Sequence, residues 1–204
     1  MKPKPVQCIL AALKYESEPI IDHYGLKRVE TFDFPVFRSG AMLLVGIGVG
    51  KKYVKTRIFE IYAKKKSDEK FYFINIGIAG GNPRNTVLGE CYMIDKIYDD
   101  CDKVYYYPDI QLDSNLQLRK VSTVEEPIIH GGSMFPELVD MEASEIFQVC
   151  QELDPEHRPA FIKIVSDHMD LKKLEFERNR IYTLIKNNMD NIDSFLRSYH
   201  YEKS

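Results

Sequence analysis

Short apolar runs rich in β-branched and aromatic residues recur along this chain, alternating with stretches of helical period. Val6–Leu13 (VQCILAAL), Ala41–Ile47 (AMLLVGI), Phe71–Ile76 (FYFINI) and Pro159–Val165 (PAFIKIV) read as buried strands. Gly89–Asp99 and Leu116–Val124 read as further strands, and Leu26–Phe32 and Pro35–Arg38 as edge strands about a turn. Helices are predicted at Pro19–Tyr24, at Tyr53–Lys64 and in the charged, amphipathic segment Leu171–Tyr199. The clearest helical face is Ala143, Ile146, Phe147 and Cys150, spaced i, i+3, i+4 and i+7 within LVDMEASEIFQVC (Leu138–Cys150). Lys64–Lys70 reads as a solvated connector, Tyr105–Tyr107 as an aromatic loop and His130–Gly132 as a second connector. Strands alternating with helices predict an α/β fold. Several strands follow one another with no helix between them, so its sheet must be mixed.

Polar residues gather where these strands end, which is where α/β folds place their chemistry. Glu16 and Glu18 follow the first strand; either carboxylate can serve the helix N-terminus there or a site. The same two roles are open for Asp140 and Glu142, which flank Met141 at the start of the helical face. Gly46–Lys51 (GIGVGK) lacks the GxxxxGK[ST] spacing, with Lys52 where Ser or Thr would be needed, which excludes an ATP-binding P-loop. A tight strand-to-helix turn remains, serving either close packing or the approach of a ligand. Gly77, Gly80 and Gly81 with Ala79 end the Phe71 strand and admit a ligand that a Cβ would exclude. Ser166-Asp167 end the Pro159 strand, inside which Lys163 needs either a partner or a solvated face.

Composition narrows the function classes. The chain has 204 residues, enough for one domain (1–204) to bury a core without staples. A net charge of -3 offers no basic footprint, which argues against nucleic acid. No apolar run reaches membrane-spanning length, and MKPKPVQ is too polar for a signal peptide. Cys8, Cys91, Cys101 and Cys150 are far apart with no CxxC spacing, as in a reduced cytoplasmic protein without a metal cluster.

Four of these segments carry a resemblance: Glu16 after the first strand, INIGIAGG (Ile74–Gly81), VDMEAS (Val139–Ser144) and IVSDHMD (Ile164–Asp170). In order and approximate spacing they resemble the nucleoside phosphorylase and nucleosidase superfamily, and within it the 5′-methylthioadenosine/S-adenosylhomocysteine nucleosidases. The resemblance implies a three-layer α/β/α sandwich around a twisted mixed sheet, commonly a homodimer, with no metal and no organic cofactor. It also implies hydrolysis of a purine nucleoside at its N-glycosidic bond. On that likeness Glu16 activates the attacking water and Met141 and Glu142 hold the ribose. Asp167 protonates the base, with Ser166 setting its position.

The chain also departs from that family. Ile78 stands where nucleosidases typically carry a polar residue, Gly80 keeps the glycine stretch, and Lys163 replaces an arginine, keeping the charge without the planar fork. The aromatic that stacks on the base has no counterpart in VSTVEEPI, and Phe176 offers a substitute face. A phosphorylase would need a cationic pocket, to which Lys51, Arg84 and Lys163 are the contributors in view. A nucleoside-binding protein without turnover would have no reason to keep Glu16, Glu142 and Asp167 together.

Overall fold

The computed structural model describes residues 3–110, 114–156, 158–170 and 178–203. Phe176 and the opening of the expected C-terminal helical segment, 171–177, lie outside the described residues. In chain order the elements are β1 (Lys4–Ala11), α1 (Lys14–Tyr24), β2 (Lys27–Arg28), β3 (Val36–Ser39), β4 (Met42–Gly46) and α2 (Val54–Ala63). There follow β5 (Glu69–Gly81), β6 (Cys91–Asp99), β7 (Val104–Tyr106), β8 (Gln117–Thr123) and β9 (Leu138–Asp140). Then come α3 (Ala143–Leu153), β10 (Ala160–Asp167), α4 (Arg178–Asn187) and α5 (Met189–Lys203). It is a mixed α/β protein, as the alternation of patterns predicts.

The sheet is organised around β5. The first half of this strand pairs in parallel with β1 from Glu69 to Asn75, and its second half pairs in parallel with β10 from Ile74 to Gly80. Its last residues, Gly80 and Gly81, pair antiparallel with Val139 and Leu138 of β9. Since β10 also pairs with β6, β6 with β8, and β8 with β9, five strands close on themselves into a barrel. On the other side β1, β4, β3 and β2 extend as an open wing. The sheet is mixed, as expected, and β5 belongs to both a closed ring and an open wing.

Side chains on β1 and β5 alternate between two apolar clusters, as strand geometry requires. Val6, Cys8, Leu10, Phe71 and Phe73 join Val54, Ile58 and Ile61 of α2 and Ile146, Phe147 and Cys150 of α3. Ile9, Ile74 and Ile76 join Ile20 of α1, Ile185 of α4 and Ile192, Phe195 and Leu196 of α5. The predicted helical face of α3 is thus the face that packs. Each such side chain, fully buried, contributes roughly 1.5–3 kcal/mol.

Several predicted boundaries shift. The first helix starts at Lys14, carrying Pro19 inside it, so Glu16 lies in its first turn. The glycine stretch at Gly77–Gly81 continues β5 as paired strand, because β10 and β9 take up its hydrogen bonds. Leu138–Asp140 is strand, and the helix begins only at Ala143. Part of the aromatic loop is strand too, with Val104–Tyr106 pairing antiparallel to Ile97–Asp99. The C-terminal segment divides into two helices at Asn188.

Candidate active site

A cleft of about 420 Å³ opens where β1, β5, β9 and β10 end. Glu16, Ile78, Gly80, Met141, Glu142, Ser166 and Asp167 all line it, although they are scattered over most of the chain. Lys163 does not line it; it lies one layer behind. The rest of the wall is largely apolar, including Leu13, Val49, Val124, Ile128, Met169 and Ile181.

Glu16 is fixed from three directions. Its Oε2 accepts the amides of Ala12 at 2.9 Å and Leu13 at 2.7 Å, and its Oε1 accepts the amide of Ile78 at 2.8 Å. Through the Leu13 contact Glu16, in the first turn of α1, reaches back to the amide of the residue that precedes the helix, so the helix-terminal role and the cleft-facing role belong to one carboxylate. Burial pushes the Glu16 carboxyl up from its ordinary value, while the three amides and Lys163 pull it down. Gly77 makes the arrangement possible, because a Cβ there would lie 2.9 Å from Glu16 Oε1.

The two acidic residues before α3 divide the roles left open by the sequence. Asp140 is the helix cap: its Oδ2 accepts the Ala143 amide at 3.0 Å, and its Oδ1 accepts the Thr123 hydroxyl at 2.8 Å. The Glu142 side chain makes no cap bond and instead accepts the Gly50 amide at 2.6 Å, from the turn after β4. Burial, and then the neighbouring Asp140, push the Glu142 carboxyl up to about 7, against the pull of Lys163 and the Gly50 amide.

Lys163 is 1% exposed, which removes the solvated-face reading. Its ammonium pairs with Asp140 Oδ2 at 2.7 Å. Burial alone would lower its pKa, but Asp140, Glu142 and Glu16 together raise it, so this lysine is charged. A buried ion pair is weak evidence of stability, yet breaking one strands a charge at a cost of roughly 3–5 kcal/mol.

At the end of β10 the Ser166 hydroxyl donates to Asp167 Oδ2 at 2.6 Å, and the Met169 amide donates to Asp167 Oδ1 at 2.7 Å. Arg180 of α4 holds the Ser166 carbonyl at 2.9 Å. In the segment 121–129, which carries no aromatic residue, Val124, Pro127, Ile128 and Ile129 supply an aliphatic wall to the cleft.

Among the described residues the charged side chains that line the cleft are Glu16, Asp140, Glu142 and Asp167, and no Lys, Arg or His lines it. Lys51 is taken up by Asp99 at 2.7 Å; burial would raise that aspartate, but the ammonium brings it down to about 2. Arg84 is exposed and outside the cleft. No group of three His, Cys, Asp or Glu side chains among the described residues is placed to hold a metal ion. Sequence reasoning passed over the Asp140–Lys163 pair and Met169. The first is foreshadowed by a lysine in an apolar run; the second leaves no local signal. The glycine turn after β4, for which the sequence leaves both close packing and a ligand open, gives its Gly50 amide to Glu142.

No protein-family model and no curated protein matches this chain. Its fold, however, is shared with solved nucleosidases. The 5′-methylthioadenosine/S-adenosylhomocysteine nucleosidase of S. pneumoniae, solved with the transition-state inhibitor MT-ImmA, aligns at a TM-score of 0.76 and 20% identity over 95% of this chain and 99% of that one. The Neisseria meningitidis enzyme in complex with methylthio-immucillin-A aligns at 0.75 and 18%, over 96% and 99%. The 5′-methylthioadenosine nucleosidase of Arabidopsis thaliana aligns at 0.74 and 15%, over 98% and 96%. At these identities the likeness is one of fold.

Proposed function

We propose that this chain, acting as a single domain over 1–204, hydrolyses the N-glycosidic bond of a purine nucleoside and releases the free base. The substrate we favour resembles 5′-methylthioadenosine or S-adenosylhomocysteine. The observation that carries the reading is the cleft itself: carboxylates from the first turn of α1, from β9 and the turn after it, and from the end of β10 converge on an otherwise apolar slot. N-glycoside cleavage needs an electron-rich surround for an oxocarbenium-like sugar, an acid for the leaving base and a base for water.

In this reading Glu142 accepts the vicinal ribose hydroxyls on the oxygen that the Gly50 amide leaves free, and Met141 packs against the sugar. Asp167, oriented by Ser166, gives its proton to the purine as the bond from carbon to nitrogen breaks. Glu16 takes a proton from water as the new bond to oxygen forms. One water is consumed, and the two carboxyl groups recover their starting states by proton exchange with solvent. Lys163 offsets part of the negative charge from behind, and Ile78 contributes its amide rather than a side chain. The apolar wall at Val124–Ile129 holds the faces of the base; the stacking role assigned to Phe176 concerns a residue outside the described ones. No step calls for a cofactor or a metal.

Water is favoured over phosphate because a phosphate dianion is usually held by arginine forks and other donors. Here the charged cleft-lining residues among those described are acids, and Lys51 and Lys163 are already paired. We further read the architecture as an α/β/α sandwich distorted by closure of the ring, supported by the two apolar clusters. A homodimer is supported by the exposed Val104, Tyr105 and Tyr107, and a cytoplasmic location by four free cysteines. No helix of the described residues is long and apolar enough to cross a membrane.

The deciding experiment is purine release from a nucleoside panel that includes 5′-methylthioadenosine, with and without phosphate. We expect free base and free sugar at a rate insensitive to phosphate, and loss of that rate in Glu16→Gln with nucleoside binding retained. Accumulation of a sugar 1-phosphate would overturn hydrolysis, and binding without release would overturn catalysis.

A further inference from the structure

Met169 has a backbone φ of 56°, in the left-handed region that an unbranched L-residue enters only at a steric cost. Such a conformation persists when its surroundings over-determine it. Here they do. The Met169 side chain is 2% exposed and is gripped by two residues that have no Cβ. A Cβ on Gly80 would lie 2.6 Å from Met169 Cγ, and one on Gly132 would lie 2.8 Å from Met169 Cβ and 2.9 Å from Cε. The side chain also packs in a small apolar cluster with Val124 and Val139, bordered by Ile128, Phe135 and Met141.

The left-handed turn has a consequence for the site. It folds the chain back just after β10, so that the Met169 amide donates to Asp167 Oδ1 at 2.7 Å while the Ser166 hydroxyl holds Oδ2 at 2.6 Å. A carboxyl group gripped at both oxygens has one orientation. Resting on the reading of Asp167 as the proton donor, we propose that Met169 is a positioning residue. Its side chain, wedged between Gly80 and Gly132, holds the strained backbone whose amide aims Asp167 at the base. The wedge also ties the acid to the Val124–Ile128 wall, so base and proton donor are placed by one packed unit.

The test compares two leaving groups. A purine needs protonation to depart, whereas the nitrophenolate of 4-nitrophenyl β-D-ribofuranoside leaves without it. Met169→Ala should lower purine release at saturating substrate by about tenfold or more beyond whatever it costs nitrophenolate release, part of what a positioned proton donor supplies. In an Asp167→Asn background Met169→Ala should add no further loss, since a residue acting through Asp167 has nothing left to position. Equal losses for both leaving groups, or full additivity with Asp167→Asn, would overturn the proposal.

A second measurement needs no turnover. The amide proton of residue 169 should follow the ionisation of Asp167 in the wild-type NMR spectrum, and this response should shrink in Met169→Ala. An unchanged response would mean that the side chain does not hold the amide. Should Met169→Ala fail to fold, Met169→Leu keeps the volume but branches at Cγ against Gly80, and should give the same pattern more weakly. If the wild type released no base at all, the nucleosidase reading would fall, and the amide titration would still decide the role of Met169.

Discussion

Replacing Glu142 by Gln should stabilise this protein above neutrality and hardly change it in acid. The perturbation is small in shape, since Gln mimics the protonated carboxyl and its carbonyl can still accept the Gly50 amide, held at 2.6 Å in the native cleft. The Glu142 carboxyl titrates near its ordinary 4.5 in the unfolded chain but near 7 in the folded one, where burial and Asp140 oppose its charge. A raised folded value means that its contribution to stability is fully present below about 4.5 and is lost as pH rises through about 7. Above that the ionised carboxylate costs roughly 3 kcal/mol, at about 1.4 kcal/mol per tenfold in proton affinity. Gln never ionises, so the variant escapes this cost. At about pH 8 it should melt roughly 6–12 °C above the wild type, the scale for a chain of this length; at about pH 5 the difference should be under about 1 kcal/mol. The same variant should bind ribosides more weakly by about 1.5–3 kcal/mol, because a charged acceptor is gone; 2′-deoxyribosides should lose much less. Thermal melts at the two pH values and titration with a riboside measure both halves. A Gln variant that is less stable at high pH, or shifted equally at both, would refute the reasoning and return Glu142 to a plain structural role.

Other consequences are equally open to measurement. Lys163→Met should cost about 3–5 kcal/mol in urea unfolding, because it strands the buried Asp140 carboxylate; combining it with Asp140→Asn should recover part of that loss. Gly77→Ala would place a Cβ 2.9 Å from Glu16 Oε1, so it should abolish base release with a smaller effect on riboside binding, read as kcat against KM. Glu16→Gln must turn an amide nitrogen toward at least one backbone N–H, and a melt should show a loss of about 1–3 kcal/mol for the donor left unpaired.

Much of this protein is written in local pattern. The apolar runs around Ile9, Leu44, Ile74 and Ile162 read as strands, and the i, i+3, i+4, i+7 face of Ala143–Cys150 reads as a packed helix, because periodicity is a property of neighbours in sequence. Strand ends rich in Glu, Gly, Ser and Asp likewise marked where chemistry would sit. Pairing is another matter. Closure of the ring depends on Gly80 and Gly81 meeting Val139 and Leu138, residues far apart in the chain, and no local period encodes a partner. For the same reason a glycine stretch that reads as the place where a strand ends is itself paired strand. Asp140 and Glu142 look alike in sequence. Only the Thr123 hydroxyl and Lys163 on one side, and the Gly50 amide on the other, make one a cap and the other a cleft carboxylate. Met169 is the extreme case: nothing in SDHMD predicts a left-handed methionine, because the glycines that admit it come from β5 and from the connector before β9. What a residue is follows from its chemistry, but what it does here is decided by the groups that folding brings within about 3 Å of it.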